Sequence, residues 1–138
     1  MGIHAIACAA AKASLEVFEN ERVLEALQSK IQYLTSALVD LQKLPGVKEV
    51  RRCGFIAGIE IEESPNGLRP HLATAVCTEA RRHGLLTRPL RNIVVLMPPL
   101  CITIDQLIKA VEALRVSIAA VWQHSVIAAG KDAEEITA

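Results

Sequence analysis

Apolar residues occupy nearly every position of residues 5–19, AIACAAAKASLEVFE, where Lys12, Ser14 and Glu16 supply most of the polarity. Because alanine and leucine favour helix, this run predicts a first helix. A helix that is apolar on almost all sides needs protein around most of its surface. We therefore expect it to pack against a protein surface outside this chain, or against a second copy of the chain.

Three further segments repeat apolar residues at the three- and four-residue spacing of an amphipathic helix. The second helix begins near Arg22 and ends before Pro45 and Gly46, which stop helices. The third precedes Gly84, a typical residue beyond a helix C-terminus. The fourth follows Thr103, which with Gln106 has the spacing of a capping box. The apolar faces comprise Val23, Leu24, Leu27, Ile31, Leu34, Leu38 and Leu41, then Leu72, Ala73, Val76, Cys77 and Ala80, then Leu107, Ile108, Val111, Leu114, Ile118, Val121 and Trp122.

Two pairs of strands are predicted between these helices. Residues 47–61 form the first pair, in which Gly54 and Gly58 provide a bend or a close approach of the backbone. Isoleucines alternate with glutamates there, as a sheet with one wet face requires. Residues 85–88 and 93–97 form the second pair, so that Arg88 ends a strand. Proline at two successive positions then stops the last strand.

The order helix, helix, two strands, helix, two strands, helix indicates an α+β fold, with a small antiparallel or mixed sheet covered by helices. Residues 1–44 are expected to hold the first two helices. Residues 45–124 form the α+β core, which packs with those helices as one domain. Residues 125–138 are expected to be a polar C-terminal tail, which frays from residue 130 onward.

Composition narrows the classes of function. A chain of 138 residues with 51% apolar and 3% aromatic residues suits one domain with an aliphatic core. The net charge is zero and basic residues are not clustered, which argues against nucleic acid and membrane surfaces as partners. No basic region precedes a long apolar stretch at the N-terminus, and no uncharged run reaches a spanning length. We therefore expect neither a signal peptide nor a membrane span.

The four cysteines, Cys8, Cys53, Cys77 and Cys101, lack the paired spacing of a zinc site. They lie in apolar runs, where free cysteine packs as a small hydrophobic residue. This pattern indicates a reducing, cytoplasmic setting. No activating base accompanies Cys53 or Cys101, so neither predicts a catalytic thiol.

Other polar residues are weaker candidates for chemistry. Glu60, Glu62 and Glu63 could bind a divalent cation, but strand alternation favours solvated charge. His71 and His83 flank the third helix, where surface positions are the favoured interpretation. Met97 is predicted to be a core residue. We assign no metal ligand and no catalytic residue.

Several segments resemble the class III (fold-type I) pyridoxal-phosphate aminotransferases. Residues 85–103, LLTRPLRNIVVLMPPLCIT, resemble the closing segment of that family. Residues 5–19 resemble the helix after the cofactor-binding lysine region, and residues 51–62, RRCGFIAGIEIE, resemble the strand pair of the small domain. The Arg-Pro pair and the Leu-Met-Pro-Pro run resemble the branch that acts in biotin synthesis more than the ω-amino acid branch.

The resemblance implies a substrate-binding role for Arg88, because in this family the matching arginine holds the carboxylate of the oxo-acid substrate. A planar guanidinium can donate two parallel hydrogen bonds to a carboxylate. From the residues alone, an ordinary surface ion pair with a nearby glutamate is the favoured reading of this arginine. The family resemblance favours substrate binding instead.

Three features depart from the family pattern. Arg91 stands where the family usually has glycine. The family's Thr-Gly-Asn has a threonine that helps to hold cofactor phosphate across the dimer, and residues 1–4, Met-Gly-Ile-His, stand in its place here. The lysine domain is absent, and no lysine lies in the family's lysine motif. We therefore assign no cofactor-binding residue, and we expect this chain alone neither to bind pyridoxal phosphate nor to transaminate. The lysines are Lys12, Lys30, Lys43, Lys48, Lys109 and Lys131.

The resemblance thus implies the C-terminal small domain of an aminotransferase. The whole enzyme would use pyridoxal phosphate to move an amino group from S-adenosylmethionine to 8-amino-7-oxononanoate. Arg88 would bind the carboxylate of the oxo acid. The partner would be the remainder of the enzyme or a second copy of the chain. The alternative is a stand-alone, non-catalytic α+β interaction module that forms homo-oligomers through its Ala-rich helix.

Overall fold

A computed structural model describes residues 4–63 and 72–135, with side chains described as far as residue 128. The predicted element order is confirmed. The elements are α1 (Ala5–Asn20), α2 (Val23–Leu41), β1 (Val47–Cys53), β2 (Ile56–Ile61), α3 (Leu72–Arg82), β3 (Arg88–Leu90), β4 (Ile93–Leu96) and α4 (Ile104–Glu135). His71 lies outside the described residues.

The four strands form one antiparallel sheet in the order β1-β2-β4-β3. This confirms the α+β class and settles the sheet as antiparallel. Ile59 pairs with Val94 in the centre of the sheet, and both side chains are fully buried. Alternation along β2 and β4 places their buried residues on one face, as the pleat requires.

The core lies between that face and α2, α3 and α4. Leu34 of α2, Val76 of α3 and Leu114 of α4 are each completely buried against it. Two residues of the predicted apolar faces, Leu24 and Ile108, are instead exposed. The remaining amphipathic pattern correctly identifies which side of each helix faces the sheet.

Helix α1 has no buried residue. Its side chains are exposed from residue 4 to residue 17, and Phe18 is half-buried beside the start of α2. Ile6 is 75% exposed and Leu15 is 66% exposed. The described part of the chain therefore does not cover the apolar surface of α1, which was expected to pack against protein.

The predicted capping box at the start of α4 is confirmed. The Gln106 amide N–H donates to the Thr103 hydroxyl at 3.2 Å, and the Thr103 N–H donates to the Gln106 side-chain oxygen at 3.0 Å. Helix α4 then runs to Glu135, so residues 125–135 are helical rather than a separate tail. Alanine, glutamate and lysine favour continuation of a helix once it has formed.

Several predicted burials are wrong. Met97 is 61% exposed, because Val94 and Leu96 face the core and Met97 follows the alternation of Val95 onto the other face. Of the cysteines only Cys77 is buried, and Cys8, Cys53 and Cys101 are exposed. All four thiols are free. In the described segments, no helix combines the length and apolar content that crossing a membrane requires.

Candidate functional site

A pocket of about 500 Å³ lies beside the β3–β4 hairpin. The hairpin strands and the segment before β3 form one side, and Pro98, Pro99, Ile102 and Ala110 close the other. A cavity of this volume falls within the range of about 300–1,000 Å³ that is typical of small-molecule sites. Arg88, the residue singled out from the sequence, lines it.

The local sequence explains why Arg88 begins β3 rather than ending a strand from residue 85. The Leu85 N–H donates to the Ala80 carbonyl at 2.9 Å, so Leu85 belongs to the C-terminal cap of α3. Gly84, with φ of 81°, allows the chain to reverse there. The Thr87 hydroxyl donates to the Val95 carbonyl, which fixes the chain just before Arg88 pairs with Val95.

The hairpin that carries Arg88 is short, and hydrogen bonds attach its turn to the neighbouring strand β2. Pro89 lies in β3, an edge strand, where a missing N–H is tolerated. Leu90 pairs with Ile93, which leaves Arg91 and Asn92 as a two-residue turn. The Asn92 side chain donates to the Ile61 carbonyl, and the Ile61 N–H donates to the Asn92 carbonyl at 2.8 Å. These bonds attach the turn to the end of β2.

Arg91 has φ of 55°, a left-handed conformation that favours glycine. Glycine is the usual residue at the first central position of a hairpin turn with positive φ. This turn is therefore one that glycine, the residue expected here from the family resemblance, would adopt without strain. Arg91 is exposed and does not line the pocket.

The pocket has an unbalanced positive charge. Arg81, in the last turn of α3, lines it together with Arg88, and both residues are exposed. Neither forms an ion pair with a carboxylate of the described residues. Among the described residues that line the pocket there is no aspartate or glutamate, and the rest of the lining is mainly apolar. This arrangement can bind an anion that carries an aliphatic chain.

Pyridoxal phosphate does not fit the residues that the structure describes. Of the residues shown to line the pocket in the described segments, none is a lysine that could form a Schiff base or a carboxylate that could pair with the pyridine nitrogen. Lys12, Lys43 and Lys48 pair with carboxylates on the surface, and the Lys30 ammonium donates to the Leu100 carbonyl at 3.1 Å. Lys109 is exposed on α4.

The other candidate residues are placed apart from the pocket. Glu60 accepts hydrogen bonds from Lys48 at 2.8 Å and from Arg51 at 3.2 Å on the β1–β2 surface. The hydrogen bond from Lys48 holds the pKa of the Glu60 carboxyl below its usual value, because it stabilises the ionised form. Among the described residues there is no group of three potential metal ligands. Burial raises the pKa of the Cys77 thiol.

Arg81 is the residue of this pocket that sequence reasoning did not identify. It follows Ala80 in a helix and precedes a second arginine, so its sequence context is that of a cationic helix terminus. Arg82 donates to Glu79 at 3.0 Å, and the His83 ring lies 3.7 Å from the same carboxylate. Only the packing of α3 beside β3 distinguishes Arg81 from these neighbours.

Comparison with known proteins gives consistent matches. The family model for class III aminotransferases matches residues 2–118. Adenosylmethionine-8-amino-7-oxononanoate aminotransferase of Nitratidesulfovibrio vulgaris is 45% identical over 126 residues, covering 88% of this chain and 23% of that protein. The enzyme of the same name from Geobacter sulfurreducens is 40% identical over 118 residues, covering 82% of this chain and 26% of that protein.

A solved structure agrees with these matches. The crystal structure of adenosylmethionine-8-amino-7-oxononanoate aminotransferase from Methanocaldococcus jannaschii superimposes with a TM-score of 0.72 at 36% identity. The superposition covers 80% of this chain and 26% of that one. The chain thus spans about a quarter of the length of the relatives it matches.

Proposed function

The chain belongs to the class III aminotransferase family, and from that premise we propose that it acts as the C-terminal small domain of an aminotransferase of biotin synthesis. The family predicted from residues 5–19, 51–62 and 85–103 is confirmed. Since the chain spans about a quarter of its relatives' length, the activity proposed is that of a larger assembly.

In that assembly, an amino group moves from S-adenosylmethionine to 8-amino-7-oxononanoate. The names of the relatives that match at 40% and 45% identity support this choice of reaction. Class III aminotransferases use pyridoxal phosphate, and the remainder of the enzyme would hold it, since the described residues offer no site. A cytoplasmic setting is part of the same proposal.

The single observation that carries the proposed role is the state of Arg88. The residue is exposed, forms no ion pair with a described carboxylate, and is among the residues that line a pocket with mainly aliphatic walls. The substrate acid has a charged end and an apolar chain that suit these surroundings. Its carboxylate can accept two parallel hydrogen bonds from the guanidinium, and its hydrocarbon chain can lie against the apolar wall. The alternative of a simple surface ion pair finds no partner among the described residues.

Exposed apolar side chains support a partner in the same assembly. They lie on α1, at Ile6 and Leu15, and beside the pocket, at Met97 and at Leu86, which is 81% exposed. Burial of one such side chain stabilises a complex by about 1.5–3 kcal/mol. The remainder of the enzyme, docked on α1, would supply the missing contacts and cover the pocket rim.

Reassembly tests this function directly. The purified chain is mixed with the lysine-bearing N-terminal part of a class III relative, and turnover of 8-amino-7-oxononanoate with S-adenosylmethionine is measured. We expect no turnover from either part alone and turnover from the mixture. Failure of every such mixture to turn over, with both parts folded and associated, would contradict the proposal.

Two variants test whether turnover of the reassembled enzyme depends on Arg88. Arg88→Ala should lower kcat/KM for the oxo acid about 10- to 150-fold, the loss of a charged hydrogen-bond pair worth about 1.5–3 kcal/mol. Arg52→Ala is the matched control, because Arg52 lies on β1, at the opposite edge of the sheet from β3. Equal kcat/KM for the two variants would remove Arg88 from the substrate site.

A second candidate function rests on α1 alone. Because none of its residues is buried, a stand-alone, non-catalytic module could associate with a second copy through this helix. Sedimentation of the chain over a range of concentrations distinguishes the two functions. Concentration-dependent oligomers abolished by Leu15→Glu, together with failed reassembly, would favour the module. A monomer at high concentration with α1 helical would exclude it.

A further inference from the structure

A side chain from the end of α2 occupies the outer edge of the sheet at β1. The Gln42 side-chain carbonyl accepts from the Val50 N–H at 2.6 Å, and the Gln42 side-chain amide donates to the Lys48 carbonyl at 3.4 Å. We propose that Gln42 blocks this edge and so prevents β1 from pairing with β1 of a second copy of the chain. This role is independent of the proposed function, because β1 lies at the opposite edge of the sheet from β3.

Strand β1 directs backbone groups away from the sheet. The order β1-β2-β4-β3 makes it an outer strand, which pairs with β2 along one side. The bonds to Gln42 show that Lys48 and Val50 direct their polar backbone groups to the other side. Alternation along the strand adds Arg52 to this set. Such a row of outward N–H and C=O groups is a template for another strand.

The Gln42 amide offers this edge the same groups as a residue of a neighbouring strand. In a parallel ladder, one residue donates its N–H and accepts at its C=O, and its two partners are two positions apart on the facing strand. Lys48 and Val50 have that spacing. Gln42 can reach them because it ends α2, where its own N–H donates to the Leu38 carbonyl at 3.0 Å. A side-chain amide thus takes the place of a strand.

The two edges of the sheet are protected in different ways. Strand β3 has three residues and contains Pro89, and both features discourage pairing with another strand. Strand β1 has seven residues, and the shift of register between Val47 and Glu49 protects only its beginning. Gln42 therefore covers the part of β1 where a further strand would otherwise begin to pair.

The charges of β1 favour a second copy as the strand that would pair there. Antiparallel pairing of two copies centred on Val50 would place Glu49 of each copy opposite Arg51 of the other. Opposite charges directly across a ladder stabilise the pair. Lys48 and Arg52 would meet at the two ends of the paired stretch, where their long side chains can turn into solvent.

Matched glutamine variants of the whole chain test the role of Gln42. Every variant also carries Leu15→Glu, so that association through α1 does not contribute. Gln42→Ala removes the blocking amide. Gln28→Ala is the control, because Gln28 lies on the same helix and donates to the Leu24 carbonyl at 3.2 Å within it. Deuterium exchange of the Val50 amide is followed by NMR, and association by sedimentation velocity.

At low concentration, the Val50 amide of Gln42→Ala should exchange about 3- to 10-fold faster, because it loses the protection of one exposed hydrogen bond. Self-association should be at least about 10-fold tighter than in Gln28→Ala, since both copies of a dimer lose a blocking amide. At high concentration the Val50 amide should become protected again. Gln42→Met keeps the side-chain length without the amide, and it serves as the test if Gln42→Ala disturbs the fold.

Four results would overturn the proposal. Unchanged Val50 exchange in Gln42→Ala would show that the amide does not occupy the edge, and faster exchange without tighter association would refute the blocking role. Equal association of Gln42→Ala and Gln28→Ala would reveal a general effect on solubility. Association that leaves the Val50 amide unprotected at high concentration would place the contact elsewhere. None of these results bears on the substrate role of Arg88, which the reassembly tests separately.

Discussion

Replacing Gly46 with alanine should destabilise the fold, because it combines backbone strain with a collision. Leu44 to Val47 form a tight turn in which the Val47 N–H donates to the Leu44 carbonyl at 3.2 Å. Pro45 and Gly46 occupy its central positions, and Gly46 has φ of 85°, as a type II turn requires. A Cβ atom on Gly46 would lie 2.5 Å from two ring carbons of Trp122.

The magnitude follows from three contributions. Holding alanine at positive φ costs about 1–2 kcal/mol, and the reduced entropy of the unfolded chain offsets about 0.4–1 kcal/mol. Moving a packed ring to admit an extra carbon costs about 1–3 kcal/mol. We therefore expect Gly46→Ala to lower the free energy of unfolding by about 3 kcal/mol, or Tm by about 10 °C for a chain of this length.

Gly84→Ala is the matched control. Gly84 has φ of 81°, close to that of Gly46, but no atom lies within 4 Å of the position of its Cβ. The control therefore carries the backbone cost without the collision, and we expect a loss of about 1 kcal/mol. Thermal unfolding followed by circular dichroism gives both values. Trp122 is the only tryptophan, so its fluorescence should report ring displacement in Gly46→Ala alone.

A double-mutant cycle supplies the decisive comparison. In a Trp122→Ala background the ring is absent, so Gly46→Ala should cost no more than Gly84→Ala does. Equal losses for the two glycine variants in the wild-type background would refute the reasoning, since the collision would then contribute nothing. A Gly46→Ala cost that persists without the ring would refute it as well.

Two further predictions concern the hairpin turn and the charged surface. Arg91→Gly should raise the free energy of unfolding by about 0.5–1 kcal/mol, because the positive-φ strain that it relieves exceeds the cost of the extra unfolded-state entropy of glycine. Chemical denaturation measures this change, and a loss of stability would contradict the prediction. Because the pKa of Glu60 is lowered in the folded chain, its contribution to stability is present above about pH 4.3 and disappears as pH falls through the lower, folded pKa. Lys48→Met should remove that part of the acid dependence in denaturation curves at pH 3–6, and an unchanged pH profile would rule out the pair as its source.

Much of the fold could be predicted from the sequence because local signals agree with the tertiary packing. The α2 apolar spacing, the Pro45-Gly46 stop and the Thr103–Gln106 capping box each correspond to observed contacts. The start of β3 could not be predicted, because it depends on whether Leu85 bonds to the end of α3 or to β4. A short apolar run is compatible with either hydrogen-bonding pattern, so the sequence does not distinguish a helix cap from a strand at Leu85.

The site was predictable only in part, for a related reason. Arg88 was identified through a family motif, whereas nothing local separates Arg81 from Arg82. The structure separates them through their surroundings, since one lines the pocket and the other pairs with Glu79. The predicted burial of Met97 is wrong for a reason that strand alternation contains: Val94 and Leu96 face the core, so Met97 lies on the opposite face.

Helix α1 and the pocket rim, two exposed surfaces of the described residues, would both be stabilised by a covering partner. The core closes without α1, since every buried residue of the core lies between Leu27 and Ile118. Helix α1 has 16 residues, only slightly above the length of about 12–15 residues below which isolated helices are marginal, so its order depends on its alanine content or on a partner surface. The pocket likewise holds two arginines without a described carboxylate, beneath a rim that includes exposed Leu86 and Met97. A partner that covered α1 and the rim would exclude water from both, and the resulting drop in dielectric would strengthen the attraction that we propose between Arg88 and the substrate acid.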